Sequence, residues 1–257
     1  MRALVLDFDG VISDSAREAF VVALRTHCEL HPFSALVPAL ERLDPAHPEV
    51  DPLYPAFIEV MPLGNRAEDY AVALRALERG VPLEDQPGYD AFKAEVDAGE
   101  LRTFHKRFYQ LRGAWSRSDP AGWLRLMAPY PEFLDVLRRR AGDVELAVAT
   151  AKDRRSVREL LRHYGVDALF PEGRVLDKEA GQSKDIHLSH LRELLELPYE
   201  AMTFVDDKVT HLEVVGRLGV RCALAAWGYN GPREHQRAHE KGMLVCTLEN
   251  AETTLFP

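Results

Sequence analysis

The sequence has little of what would tie it to an oxidising or membranous setting. Its three cysteines, Cys28, Cys222 and Cys246, stand far apart with no CxxC pair, so they predict neither a disulfide framework nor a zinc site. No apolar run approaches the roughly 18 residues of a membrane span. Arg2 leads directly into a short apolar run that ends in acids, which is not the pattern of a signal peptide. Positive charge is also in short supply: 32 Lys and Arg against 41 Asp and Glu leave a formal net charge of −9. That balance argues against a broad nucleic-acid or anionic-membrane surface, which needs clustered cations, but it leaves room for a small basic pocket. Internal repeats and low-complexity tracts are absent as well. The expectation is a cytoplasmic protein, monomer or homodimer, with no nucleic-acid or membrane partner.

What is present is enough chain, 257 residues, for one large domain or two modest ones. Four apolar runs read as buried parallel strands: Ala3 to Leu6, Val144 to Ala149, Met202 to Val205 and Val220 to Ala225, with Met243 to Cys246 a weaker fifth. Helical patterns run from Pro131 to Arg140, Arg154 to Tyr164, Asp185 to Leu197 and Val209 to Leu218, two of them ending at Gly165 and Gly219. Strand and helix in alternation predict an α/β fold with a doubly wound parallel sheet. Between the first two strands lie roughly 135 residues, where a βαβ unit takes about 30. Ser15 to Leu30, Asn65 to Arg79 and Tyr89 to Trp115 carry apolar residues at helical spacing, with prolines between them. An all-helical insert over residues 16–120 follows, leaving 1–15 and 121–257 as the α/β core, which the chain re-enters near Pro129-Tyr130-Pro131.

Open parallel sheets bind ligands beyond the carboxyl ends of their strands. There the sequence supplies Asp7 and Asp9 after the first strand, Thr150 after the second, and Asp206 and Asp207 after the third, with Lys184 at the start of the preceding helix. Clustered carboxylates repel unless a cation lies among them, and oxygen donors suit a hard ion such as Mg²⁺, which commonly shares a substrate phosphate. A lysine and a threonine hydroxyl would hold the other phosphoryl oxygens. One carboxylate is then left to attack phosphorus and another to move the proton. Asp7 and Asp9 in isolation would read as a turn or a helix cap; it is their company that points to phosphoryl transfer.

Asp7-Phe8-Asp9-Gly10-Val11-Ile12-Ser13-Asp14-Ser15 resembles the first motif of the haloacid dehalogenase superfamily. Ala147-Val148-Ala149-Thr150 is similar to the second, Lys184 to the third, and Phe204-Val205-Asp206-Asp207 to the fourth in its paired-Asp form. Pro129 to Asp153 looks like the phosphoglycolate-phosphatase-like branch. The resemblance implies a Rossmann-like core with a helical cap, and hydrolysis of a small phosphorylated metabolite. Asp7 would be the nucleophile that becomes an aspartyl phosphate, and Asp9 the acid and base. Thr150, Ala151 and Lys184 would bind the phosphoryl group, with Lys184 also orienting Asp7. Asp7, the Asp9 carbonyl and Asp206 would hold Mg²⁺, with Asp207 a ligand or a carboxylate just behind it.

The motifs depart from the family at two points. Lys184 is followed by Asp185 where this branch has Pro, and Lys178 lies six residues upstream as an alternative. His211 stands four residues after Asp207, where many relatives carry another Asp; with two acids already paired it reads as an ordinary helix residue, and none of the scattered histidines pairs for metal binding. Substrate choice belongs to the insert. Arg66, in Pro62-Leu63-Gly64-Asn65-Arg66, would clamp an anionic group, unless Asn65 and Glu68 merely cap a helix. Ser13, Asp14 and Ser15 are open to substrate contact or to capping. Phe104, Phe108 and Trp115 read as core, and Trp227 to Gly231 as a rim of the site or a plain turn. Competing readings are a phosphosugar mutase, a phosphonate hydrolase using Lys93 or Lys106, and a non-catalytic phospho-receiver. A dehalogenase is disfavoured by Asp9.

Overall fold

A computed structural model describes residues 1–181 and 183–256, and it divides the chain into two units, Met1–Asp14 with Pro129–Pro257, and Ser15–Ala128. The first is built on β1 (Ala3–Leu6), four apolar residues with no solvent exposure. A strand this uniformly apolar is wetted on neither face and belongs at the centre of a parallel sheet. It pairs in parallel with β4 (Glu145–Ala149) on one side and β6 (Met202–Asp206) on the other. Beyond them lie β5 (Val175–Leu176), β7 (Arg221–Ala225) and β8 (Leu244–Cys246), in the order β5-β4-β1-β6-β7-β8. Two further two-residue strands, β2 (Ser13–Asp14) and β3 (Ala128–Pro129), lie where the chain leaves this unit and returns to it.

The connecting helices are α8 (Pro131–Arg140), α9 (Arg154–His163), α10 (Lys184–Leu195), α11 (Val209–Gly216), α12 (Pro232–Glu240) and the short α13 (Ala251–Leu255). Strand order runs outward from β1 through β4 and β5, then reverses to β6. The crevice at that reversal, between β1 and β6, is where such sheets bind ligands. Asp7 and Asp206 sit at the ends of those two strands. The doubly wound α/β fold with an inserted helical segment is therefore the observed one. β5 was not anticipated, because two residues carry no periodicity to read. Cys28, Cys222 and Cys246 are separate buried thiols, each pushed up to about 11 by burial.

The second unit contains α1 (Ala16–Leu30), α2 (Val37–Arg42), α3 (Leu53–Val60), α4 (Ala67–Arg79), α5 (Gln86–Glu95), α6 (Ala98–Ser118) and α7 (Pro120–Arg125). Helices α1, α4 and α6 pack on one another around a chain of rings: Phe20 on Phe57 at 5.3 Å, Phe57 on Tyr70 at 5.5 Å, Tyr70 on Phe108 at 5.5 Å. Phe104 and Phe108 are core residues, while Trp115 is half-buried beneath the Arg25 guanidinium. The single helix expected from Tyr89 to Trp115 is two. Val96 is extended and Asp97 caps α6, its carboxylate accepting the Glu100 amide at 2.8 Å. Apolar periodicity reports which residues face inward, and it passes through a break that a capping acid makes. No helix among the described residues is long and apolar enough to cross a membrane.

Candidate active site

The loop after β1 is shaped by its own backbone. Asp7 continues the sheet, its amide donating to the Val205 carbonyl at 2.9 Å. The Phe8 carbonyl then accepts the amides of Ile12 and Ser13, each at 2.9 Å, folding the chain back at once. Gly10 makes the reversal at φ +81°, and a Cβ there would lie 2.5 Å from Asp207 Oδ2, so it meets two demands that only glycine satisfies. With Phe8 sealed in the core, Asp7 and Asp9 are left on the ligand side of the sheet, in different surroundings.

Asp7 is buried. Its Oδ1 accepts the Phe8 amide at 2.7 Å and lies 2.7 Å from Lys184 Nζ. The Lys184 ammonium also donates to the Ala149 carbonyl at 2.7 Å and stands 3.4 Å from Asp206 Oδ2. It thus ties together the ends of β1, β4 and β6. Burial alone would favour its neutral form, but Asp7 and Asp206 outweigh that and raise its pKa, keeping it charged. The lysine against Asp7 is thus Lys184; Lys178 is exposed.

Asp9 is more open, its side chain 27% exposed, and faces a different lysine: Lys152 Nζ lies 2.9 Å from its Oδ1. Lys152 follows β4 in the same turn as Thr150 and Ala151. The buried Thr150 hydroxyl accepts the Lys152 amide at 3.1 Å, and Ala151 is exposed at the tip. Lys152 thus joins the candidate site through Asp9, although it lies past the end of its strand. The available signal was a cation two residues beyond Thr150.

On the β6 side, Asp206 Oδ1 accepts the Lys208 amide at 2.9 Å, and His211 Nδ1 lies 3.0 and 3.2 Å from its two oxygens. Burial pushes Asp206 up, but His211 and Lys184 more than offset it and hold the carboxyl below its usual range. His211 is therefore not the ordinary helix residue its position suggested: it lies in the first turn of α11, turned toward the carboxylates. Asp207 differs again. Its Oδ2 accepts the Tyr229 amide at 2.9 Å, while its Oδ1 is buried with no hydrogen-bond partner among the described residues. Burial and the Asp206 charge raise it well above the ordinary carboxylate value.

The segment Trp227 to Gly231 clamps this corner rather than merely turning. A Cβ on Gly228 would fall on Asp207 Cβ and the Gly10 carbonyl. Asn230 donates to the Asp207 carbonyl at 3.1 Å, Trp227 Nε1 to the Val11 carbonyl at 3.1 Å, and Tyr229 hydroxyl to Asp14 at 3.1 Å. Arg66 belongs to the helical unit. It is exposed at the N-cap of α4, its amide donating to Asp69 at 3.0 Å. The cap expected on Asn65 and Glu68 is thus made one residue later, by Arg66 and Asp69.

Three buried carboxylates, Asp7, Asp206 and Asp207, converge here with Lys184 as the cation between two of them. Ligand atoms of Asp7, Asp206 and His211 lie within 4.8 Å of one another. Excess buried negative charge with an orphaned oxygen fits a divalent cation, which would relieve both.

The chain matches the family model of haloacid dehalogenase-like hydrolases over residues 1–219. It is 27% identical over 230 residues to the tyrosine-protein kinase PtkA of Mycobacterium tuberculosis, a match covering 89% of this chain and 63% of that protein. Among solved structures, a haloacid dehalogenase-like family hydrolase from Streptococcus pneumoniae superposes with a TM-score of 0.67 at 11% identity, over 99% of this chain and 98% of that one. A protein described as a predicted phosphoglycolate phosphatase from Haemophilus somnus superposes at 0.64 and 16% identity, over 98% and 97%.

Proposed function

Since the chain belongs to the haloacid dehalogenase-like hydrolase family, we propose that it hydrolyses a small phosphate monoester through an aspartyl phosphate on Asp7. The observation that carries this reading is the pair of carboxylates in one loop with separate lysines, Asp7 on Lys184 at 2.7 Å and Asp9 on Lys152 at 2.9 Å. Two carboxylates in unlike environments divide into nucleophile and proton carrier.

Asp7, fixed by Lys184 and the Phe8 amide, attacks phosphorus, and the ester oxygen leaves with a proton from Asp9. Asp9, then ionised beside Lys152, takes a proton from the water that attacks phosphorus and releases Asp7 and inorganic phosphate. Lys184 and Lys152 balance phosphoryl charge, and the Thr150 hydroxyl and the backbone of Ala151 bind phosphoryl oxygens. Asp7, the Asp9 carbonyl, Asp206 and Asp207 would hold a divalent cation such as Mg²⁺, which when bound neutralises the carboxylates and the phosphoryl oxygens. In this reading residues 16–120 are the helical cap unit, with Arg66 its candidate for recognising an anionic part of the substrate.

The test is release of inorganic phosphate from a panel of monoesters with and without divalent cations. Phosphate release that needs the cation and disappears in Asp7→Asn supports the reading; release undiminished in that variant overturns it. The Mycobacterium relative's name adds one further outcome, because an aspartyl phosphate can also pass to a hydroxyl. Phosphotyrosine formed from ATP, with no monoester hydrolysed, would make the acceptor tyrosine instead of water.

A further inference from the structure

His211 occupies an unusual place for a helix residue with no role of its own. Its ring is about one-third exposed, yet its Nδ1 is turned inward onto the Asp206 carboxylate at 3.0 Å. With Asp7 and Asp206 it forms a set of three donor atoms within 4.8 Å of one another, the only such set of His, Cys, Asp and Glu found among the described residues. The second sign of a ligand is Asp207. Its carboxyl group packs against Gly10 in the Asp7–Asp9 loop, and its buried Oδ1 lacks a hydrogen-bond partner among the described residues.

We propose that His211 is a ligand of the site's divalent cation, making it a mixed nitrogen and oxygen centre that favours Mn²⁺ or Co²⁺ over Mg²⁺ relative to an all-oxygen site. The proposal rests on the phosphatase reading above, since it concerns the same cation. Its reason is donor chemistry. Imidazole nitrogen suits borderline ions such as Co²⁺, whereas Mg²⁺ prefers oxygen and gives up water reluctantly. The alternative role for Nδ1 is to carry a proton and donate it to Asp206. The two roles exclude each other, because one lone pair cannot hold both a proton and a metal. With the proton on Nε2, which the ring's exposure leaves open to water, Nδ1 is free to bind the ion.

Pulsed EPR of the Mn²⁺-loaded protein reads the first coordination sphere without reference to turnover. The expected result is a ¹⁴N coupling of imidazole type in the wild-type protein that is absent in His211→Asp. In parallel, calorimetric titration should show the preference for Co²⁺ over Mg²⁺ falling on the order of tenfold in His211→Asp. Mn²⁺ bound without ¹⁴N coupling in the wild-type protein overturns the proposal whether or not the variant folds, and if phosphate is still released the phosphatase reading stands. No divalent ion bound and no phosphate released would overturn both.

Discussion

The two units both bury acids, but they treat them differently. In the helical unit the buried Glu18 and Asp69 each have a base of their own. Glu18, 2% exposed, meets Arg112 Nε at 2.7 Å and Trp123 Nε1 at 3.1 Å. Asp69 accepts the Tyr89 hydroxyl at 2.5 Å, Lys93 at 2.6 Å and the Arg66 amide at 3.0 Å. In both networks the buried carboxylate is offset by a cation where it stands. In the sheet unit, Asp7 and Asp206 share one lysine, Asp207 keeps an orphaned oxygen, and burial with mutual repulsion raises Asp207. A buried acid whose pKa is pushed this far is a candidate functional group, whereas the paired acids of the helical unit hold helices together.

Changing carboxylates to amides across both units tests that contrast directly. The largest effect is expected in Asp7→Asn, which removes the proposed nucleophile while keeping shape. Phosphate release should fall at least about 10⁴-fold, or about 5.5 kcal/mol, with the melting temperature little changed. Next comes Asp9→Asn, which should cost about 10³-fold on alkyl phosphates. If the lost function is the proposed proton donation, the deficit shrinks on p-nitrophenyl phosphate, whose leaving group needs no acid; an equal loss on both esters would refute that role.

Glu18→Gln should act in the opposite currency, on stability. It leaves the Arg112 charge short of its partner, and denaturant unfolding should show a loss of about 1.5–3 kcal/mol. The smallest effect belongs to Asp207→Asn. The amide can turn its oxygen to the Tyr229 amide and its NH₂ to the position of the orphaned Oδ1. In the metal-free protein this should raise the melting temperature by about 2–4 °C near neutral pH. The sign follows from the raised pKa. The folded wild type holds its proton more tightly than the unfolded chain, so its stability declines as pH rises through the raised value. Below the ordinary carboxylate range both states are protonated, and the gain should vanish. A destabilised Asp207→Asn at pH 7 would mean that the open network is closed after all.

Much of this contrast could be read from the chain. Apolar runs marked β1, β4, β6, β7 and β8, and the acids and Thr150 at their ends marked the candidate site, because strand burial and strand-end chemistry are local in sequence. Lys152 was hidden by a similar logic. It sits past the strand end, and its partner Asp9 is 143 residues away. His211 was hidden by its neighbours: next to two adjacent acids, a histidine at helical spacing looks redundant until its ring direction is known. The break between α5 and α6 was masked because Asp97 caps a new helix without disturbing the apolar period.

The alternation of strand and helix, the helical character of the insert and the residue types delivered to the strand ends were all in the sequence, and they follow from spacings of two to four residues along one chain. The helical unit, by contrast, runs on through α7 to Ala128, past the end at 120 that the sequence suggested. Tertiary structure alone decided which lysine met which carboxylate, that Gly10 and Gly228 make room for Asp207, and that His211 turned inward. Those outcomes depend on parallel register across β4, β1 and β6, which brings together segments far apart in the chain. Where ion pairs form is set by that convergence, and no local pattern carries it.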